Sequence, residues 1–197
     1  MNRPVWCLLA AAALIFPAGW SQAHDAHKMA ASSSQVIEAV EIDAPDVELV
    51  DRAGKTVSLR NGILDGHRIV LMFQYTQCPQ TCLSINVIAQ ALDAQLASTE
   101  FSDVRIVSIT LDPANDTPEA LAAAAEAMGA SARWIWLTGD PADLRKAYRA
   151  FGVGVGPKES HVPFFLVGSG SAGEYVRKDG LVPPDEIVQL LQHTDKP

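Results

Sequence analysis

Ile69-Val70-Leu71-Met72-Phe73-Gln74-Tyr75-Thr76-Gln77-Cys78-Pro79-Gln80-Thr81-Cys82 is the stretch on which the reading of this chain turns. Ile69 to Phe73 is apolar without interruption, the mark of a strand buried on both faces in a mostly parallel sheet. After Cys82 the apolar positions Ile85, Ile88, Leu92 and Leu96 recur at helical spacing, ending near Ser98. Cys78 and Cys82 therefore stand where a buried strand gives way to a helix. Positions i and i+4 of a helix share a face with Cα atoms about 6 Å apart. That separation lies inside the range a disulfide spans, and it also lets two sulfurs converge on one ion. The positive end of the helix macrodipole favours thiolate, the form that disulfide exchange and soft-metal binding both require. An inert disulfide is the competing reading, but bridging neighbours on one helical turn closes a very small loop and contributes little stability. The pair predicts a redox or metal-binding role.

The surrounding sequence supplies the rest of the sheet. Val47 to Asp51, then Arg52-Ala53-Gly54, then Lys55 to Leu59 is a hairpin pattern around a glycine turn. Val104 to Leu111 is a second buried strand. Asp116-Thr117-Pro118-Glu119 starts a helix that stops at Gly129, with Asp116 expected as its cap. Trp134 to Leu137 is a short strand whose two tryptophans read as core. Asp140-Pro141-Ala142-Asp143 opens the next helix, which stops at Gly152. Phe164 to Val167 and Glu174 to Arg177 form a hairpin, and Pro184 to Gln192 the closing helix. The pattern predicts an α/β fold, a thioredoxin-like sandwich with a central mixed sheet flanked by helices and an N-terminal hairpin. Gly152, Gly154 and Gly156 follow a helix instead of a strand and lack the GxGxxG spacing, so they read as a loop, not a dinucleotide site.

The chain has 197 residues, 48% hydrophobic and 19% charged, which suits one folded domain. Its formal net charge of -8, with no long Lys/Arg cluster, argues against nucleic acid as a partner. Residues 1–23 read as a signal peptide: Arg3, an apolar run from Val5 to Phe16, and small residues Ser21 and Ala23 before the cleavage point. An uncleaved membrane anchor is the alternative, but the run falls short of the about 20 apolar residues a span needs. Cys7 leaves with the signal, and the exported chain keeps Cys78 and Cys82 in an oxidising compartment. Residues 24–45 read as a flexible tail and 46–197 as the domain.

Taken together, the hairpin Val47 to Leu59, the strand running into Cys78-Pro79-Gln80-Thr81-Cys82, the segment Leu111-Asp112-Pro113-Ala114-Asn115-Asp116-Thr117-Pro118-Glu119 and the later His161 resemble the SCO/SenC family. The resemblance covers about residues 46–192. It implies a periplasmic or membrane-side protein that holds a copper ion, Cu(I) or Cu(II), through Cys78, Cys82 and His161. The implied partners are the copper-site subunit of cytochrome oxidase, or another copper-accepting periplasmic protein, and a protein that reduces the thiols. Gln77 and Leu83 stand where relatives often carry His and Pro, and the segment from His161 to the next strand is one residue shorter than in many relatives. Pro163 stands just before a buried strand, where thioredoxin folds commonly place a cis-proline.

A thiol–disulfide oxidoreductase is the alternative function, with Cys78 and Cys82 as its redox-active pair. Two features weigh toward metal: exchange chemistry needs no third ligand such as His161, and the usual redox spacing is CxxC. A peroxidase of the peroxiredoxin kind fits poorly, since Tyr75 occupies the position that would need Thr or Ser. His24, His27 and Met29 read as part of a solvated polar leader, with a rival imidazole and thioether source for copper as the alternative. Asp112 reads either as a turn residue before Pro113 or as a support near the cysteine loop, and Asp116 has that supporting place as the alternative to its cap. His67 and His193 read as solvated.

Overall fold

The computed structural model describes residues 39–77, 81–97 and 99–195, the side chains of 81–83 and 99 excepted. Arg68–Gln74 forms the central strand, buried along its whole length. Ile69, Leu71 and Phe73 enter one apolar core and Val70 and Met72 the other, which is why the run shows no alternation of polar residues. In chain order the strands are β1 (Ala39–Glu41), β2 (Glu48–Asp51), β3 (Thr56–Ser58), β4 (Arg68–Gln74), β5 (Val104–Thr110), β6 (Trp134–Thr138), β7 (Phe164–Ser169) and β8 (Glu174–Asp179). They make one mixed sheet in the order β1-β8-β7-β4-β5-β6-β2-β3. β4, β5 and β6 run parallel, and the remaining neighbours pair antiparallel.

The helices are α1 (Thr81–Gln95), α2 (Pro118–Ala127), α3 (Pro141–Ala150) and α4 (Pro184–His193). Ile85, Ala89, Leu92 and Leu96 of α1 and its end, Leu121 of α2, and Ile187 and Leu191 of α4 pack on one face with Trp134 and Trp136. Leu144 and Ala147 of α3 cover the other, with Leu59, Ile63 and Leu64 from a π-helical stretch after β3. The expected α/β sandwich with helices on both faces of a mixed sheet is what the chain builds. Gly54, at φ 78°, makes the turn of the β2–β3 hairpin, which extends the sheet by pairing Val50 with Thr138 of β6. Among the described residues no helix is long and apolar enough to cross a membrane.

Two expectations need correction. Residues 39–45 are not tail: β1 pairs with β8, Ile42 donates its N–H to the Gly173 carbonyl at 2.8 Å, and Ile42 and Ala44 are buried. The alternation of Val40, Ile42 and Ala44 is too short to announce a strand by itself, and the exposed edge of β8 recruits it. The domain thus includes Ala39, and the part of the expected tail before it, like the expected signal peptide, lies outside the described residues. The cap of α2 is Thr117, whose side chain accepts from the Ala120 N–H at 3.3 Å, and not Asp116. Asp116 is drawn away by stronger donors. At α3 the expectation holds, with Asp140 accepting from the Ala142 N–H at 2.7 Å.

Candidate functional site

Strand directions bring three connecting segments to one end of the sheet. β4 and β5 run parallel with Gln74 opposite Thr110, so residues 75–77 and 111–117 leave the sheet together. β7 is antiparallel to β4 with Phe165 opposite Met72, so the segment ending at Pro163 arrives at that same end. Phe164 meets Phe73 with ring centroids 5.6 Å apart. His161 therefore stands at the end of the sheet from which residues 75–77 depart. Register does this, and no peptide bond among the described residues is cis, Val162–Pro163 included.

Asp116 is 1% exposed and gathers the first two segments. Its carboxylate accepts from the Thr76 N–H at 3.1 Å, the Thr76 hydroxyl at 2.5 Å and the Thr110 hydroxyl at 2.5 Å. The Leu111 N–H donates to the Gln74 carbonyl at 2.8 Å, extending the β4–β5 ladder by one bond. Tyr148 of α3 donates its hydroxyl to the Thr110 carbonyl at 2.6 Å. Burial, then the Asp116 and Asp112 carboxylates, push that phenol far above its ordinary pKa, so it stays protonated and keeps its hydrogen for the Thr110 carbonyl.

Asp112 is buried and bonded to Lys158 Nζ at 2.6 Å and to Asn115 Nδ2 at 2.8 Å. Burial pushes its carboxyl up, but the bonds from Lys158 and Asn115 and the Lys158 charge outweigh this and hold it below the usual carboxylate value. The turn reading of Asp112 holds, its carbonyl accepting the Asn115 N–H at 3.0 Å and the Asp116 N–H at 2.9 Å. Lys158 also lies over the Tyr75 ring, 5.3 Å from the centroid.

His161 follows the short 3-10 turn Lys158–Ser160 and donates its backbone N–H to the Lys158 carbonyl at 3.2 Å. Its ring leans on Phe164, centroids 5.7 Å apart. The Nε2 atom is buried and has no hydrogen-bond partner among the described residues. Burial, and after it the Arg177 charge, lower the imidazole pKa, so the ring is neutral at pH 7. A neutral imidazole with a shielded, unpartnered nitrogen is the state a metal ion or a proton donor would use. Arg177 lies 3.6 Å above the Phe164 ring and donates to the Gly152 carbonyl at 3.2 Å. A cavity of about 280 Å³ opens beside His161, lined among others by Leu111, Tyr148, Val153, Phe164 and Arg177.

Cys78 and the side chain of Cys82 lie outside the described residues; Cys82 is the second residue of α1. Among the described residues no three His, Cys, Asp or Glu side chains converge as a metal site. His24, His27 and Met29 also lie outside them. His67 is at the opposite end of β4, its Nδ1 2.8 Å from the Asp65 carbonyl, and exposed His193 bonds Gln189 in α4, so neither belongs to this site. Trp134 and Trp136 are core, as expected. Sequence reasoning did not single out Lys158, Arg177 or Gln74. Gln74 is 3% exposed, with both amide atoms lacking a partner among the described residues, directly before Tyr75. A polar residue closing an unbroken apolar run was the available signal.

A family model described as SCO1/SenC matches residues 39–168. A protein of Stutzerimonas stutzeri whose name calls it copper-binding is 32% identical over 109 residues, 55% of this chain and 52% of that protein. Protein SenC of Rhodobacter capsulatus is 34% identical over 106 residues, 52% of this chain and 46% of the relative. The chain thus spans about half the length of these two relatives. Among solved structures, BsSco, described as a Sco family cytochrome c oxidase assembly protein with a disulfide switch, superposes with a TM-score of 0.68. It is 25% identical, and the match covers 81% of this chain and 96% of that one.

Proposed function

This chain belongs to the SCO1/SenC family, and from that premise we propose that it binds one copper ion through Cys78, Cys82 and His161. Copper is its cargo, delivered to the copper site of cytochrome oxidase or used while preparing that site. The observation that carries the reading is the buried Nε2 of His161, unpartnered among the described residues, at the sheet end where the Cys78 loop begins. A similar protein bearing the name copper-binding supports it. Two thiolates suit Cu(I), and adding an imidazole makes a donor set that also holds Cu(II). The His161 ring leans on Phe164, and Lys158, three residues earlier, pairs with Asp112.

The second reading is a thiol–disulfide oxidoreductase that reduces a partner's cysteines. Cys82 in the first turn of α1 favours it, because a helix start stabilises thiolate. Export to the periplasm, cleavage after Ala23 and a thiol-reducing partner complete the proposal, on the strength of Arg3, the short apolar run and Ser21-Gln22-Ala23.

The test is metal and thiol titration of the exported protein, with intact mass fixing its first residue. One copper per reduced chain is expected, lost in Cys78→Ser and in Cys82→Ser. His161→Ala should weaken Cu(II) far more than Cu(I). A Cu(II)–thiolate band that survives His161→Ala but is lost when His24 and His27 are also replaced by alanine would move the imidazole to His24 or His27. Reversible disulfide exchange without copper uptake would favour the oxidoreductase.

A further inference from the structure

We propose that Lys158 is the positioning residue for His161, strapping the segment that carries this imidazole to the two segments beside the cysteine loop. The proposal rests on His161 being a copper ligand, and its test separates the two claims.

The segment from Gly152 to Pro163 contains Gly152, Gly154 and Gly156, and Val155 is fully exposed. Such a stretch has a large conformational entropy to lose and little apolar burial with which to hold one shape. Its near end is tied by the Val153 N–H to the Tyr148 carbonyl at 2.8 Å, and its far end by the Gly180 N–H to the Pro163 carbonyl at 2.7 Å. Between these ties, the Ser160 and His161 N–H groups bond only a few residues back, to Pro157 and Lys158, shaping the turn without attaching it.

Attachment comes from the Lys158 side chain. Its ammonium meets Asp112 at 2.6 Å and the face of Tyr75 at 5.3 Å. Asp112 follows β5 in the segment that Thr110 and Asp116 fix, and Tyr75 stands three residues before Cys78. Asp112 is itself held by Asn115, and its backbone N–H donates to the Thr110 hydroxyl at 2.9 Å, so the anchor is firm. The Lys158 side chain is 29% exposed and the Asp112 side chain 9%, so the contact is shielded from water on the carboxylate side. One residue thus touches both segments that leave the sheet after Gln74 and Thr110, and its own carbonyl accepts the His161 N–H. Supports of this kind, which orient a ligand without touching the metal, typically change affinity by about 10- to 100-fold when removed.

Lys158→Met keeps the apolar stem and removes the charge. In the reduced full chain it should lower Cu(II) affinity about tenfold and shift the thiolate-to-copper band. Cu(I) affinity should stay within about twofold, since the two thiolates suffice for the softer ion. Lys158→Arg should restore most of the loss. Asp112→Asn should reproduce it, and the double variant should be no worse than either alone. In the copper-free protein, amide exchange across residues 158–162 should speed up in Lys158→Met and not in Lys158→Arg. Loss of Cu(II) in His161→Ala with none in Lys158→Met overturns the strap and leaves the ligand reading intact. Retention of Cu(II) in His161→Ala overturns the ligand reading, and unchanged exchange in Lys158→Met overturns the strap on its own.

Discussion

Replacing Asp116 by alanine tests the structural account of the site most directly. The carboxylate takes the Thr76 N–H, the Thr76 hydroxyl and the Thr110 hydroxyl. Thr110 already accepts the Asp112 N–H at 2.9 Å, so its own hydrogen is committed to Asp116. At 2% exposure that hydroxyl has no route to water, and orphaning it costs about 1–3 kcal/mol. Thr76 is half-buried, so water replaces its lost acceptor in part, at a net cost of about 1 kcal/mol for each of two bonds. Relief from holding a carboxylate out of water offsets some of this. The expected net loss is about 3 kcal/mol, which for a domain of this size lowers Tm by roughly 6–12 °C. Urea unfolding of the copper-free, reduced protein measures it. Thr76→Val should cost about 1 kcal/mol alone and almost nothing in the Asp116→Ala background, a coupling of about 1 kcal/mol. A loss under about 1 kcal/mol for Asp116→Ala, or strictly additive costs, would refute the idea that this carboxylate joins the β4 and β5 exits.

Arg68 is 2% exposed, doubly bonded to Asp103 at 2.7 Å, and donates to the Leu191 and Glu100 carbonyls, so Arg68→Met should cost about 3–5 kcal/mol in denaturant unfolding. Gly168→Ala puts a Cβ 1.9 Å from the Glu174 carbonyl oxygen, so the β7–β8 pairing must open; soluble yield should fall, or stability drop by at least about 2 kcal/mol. For His161 the NMR titration midpoint in the copper-free protein should lie below the ordinary value of about 6.5. Above that pH the ring is neutral in both the folded and unfolded chain, and its contribution to stability is complete. As pH falls, the unfolded chain takes the proton first, so stability declines until the pH has passed below the folded value. A midpoint at or above about 6.5 would contradict the buried setting of the ring.

Features that neighbouring residues settle among themselves were legible along the chain. The unbroken run Ile69 to Phe73, the cysteine spacing into a helix, the Gly54 turn and the Asp140-Pro141 helix start are local signals, and β4, α1, the β2–β3 hairpin and α3 follow them. The tertiary structure decided whatever depends on partners far along the chain. Whether Asp116 caps α2 or joins two strand exits is set by Thr76, forty residues earlier and adjacent only because β4 lies beside β5. β1 exists because β8 offers an unpaired edge, and so short an alternation cannot reveal that. Lys158 looks like any surface lysine until the antiparallel register of β7 against β4 sets its segment next to Asp112 and Tyr75. Local patterns fix which elements form, because helix and strand preferences act over a few residues. Side-chain roles at the site are fixed by strand order, which arises only when the whole sheet buries its two faces.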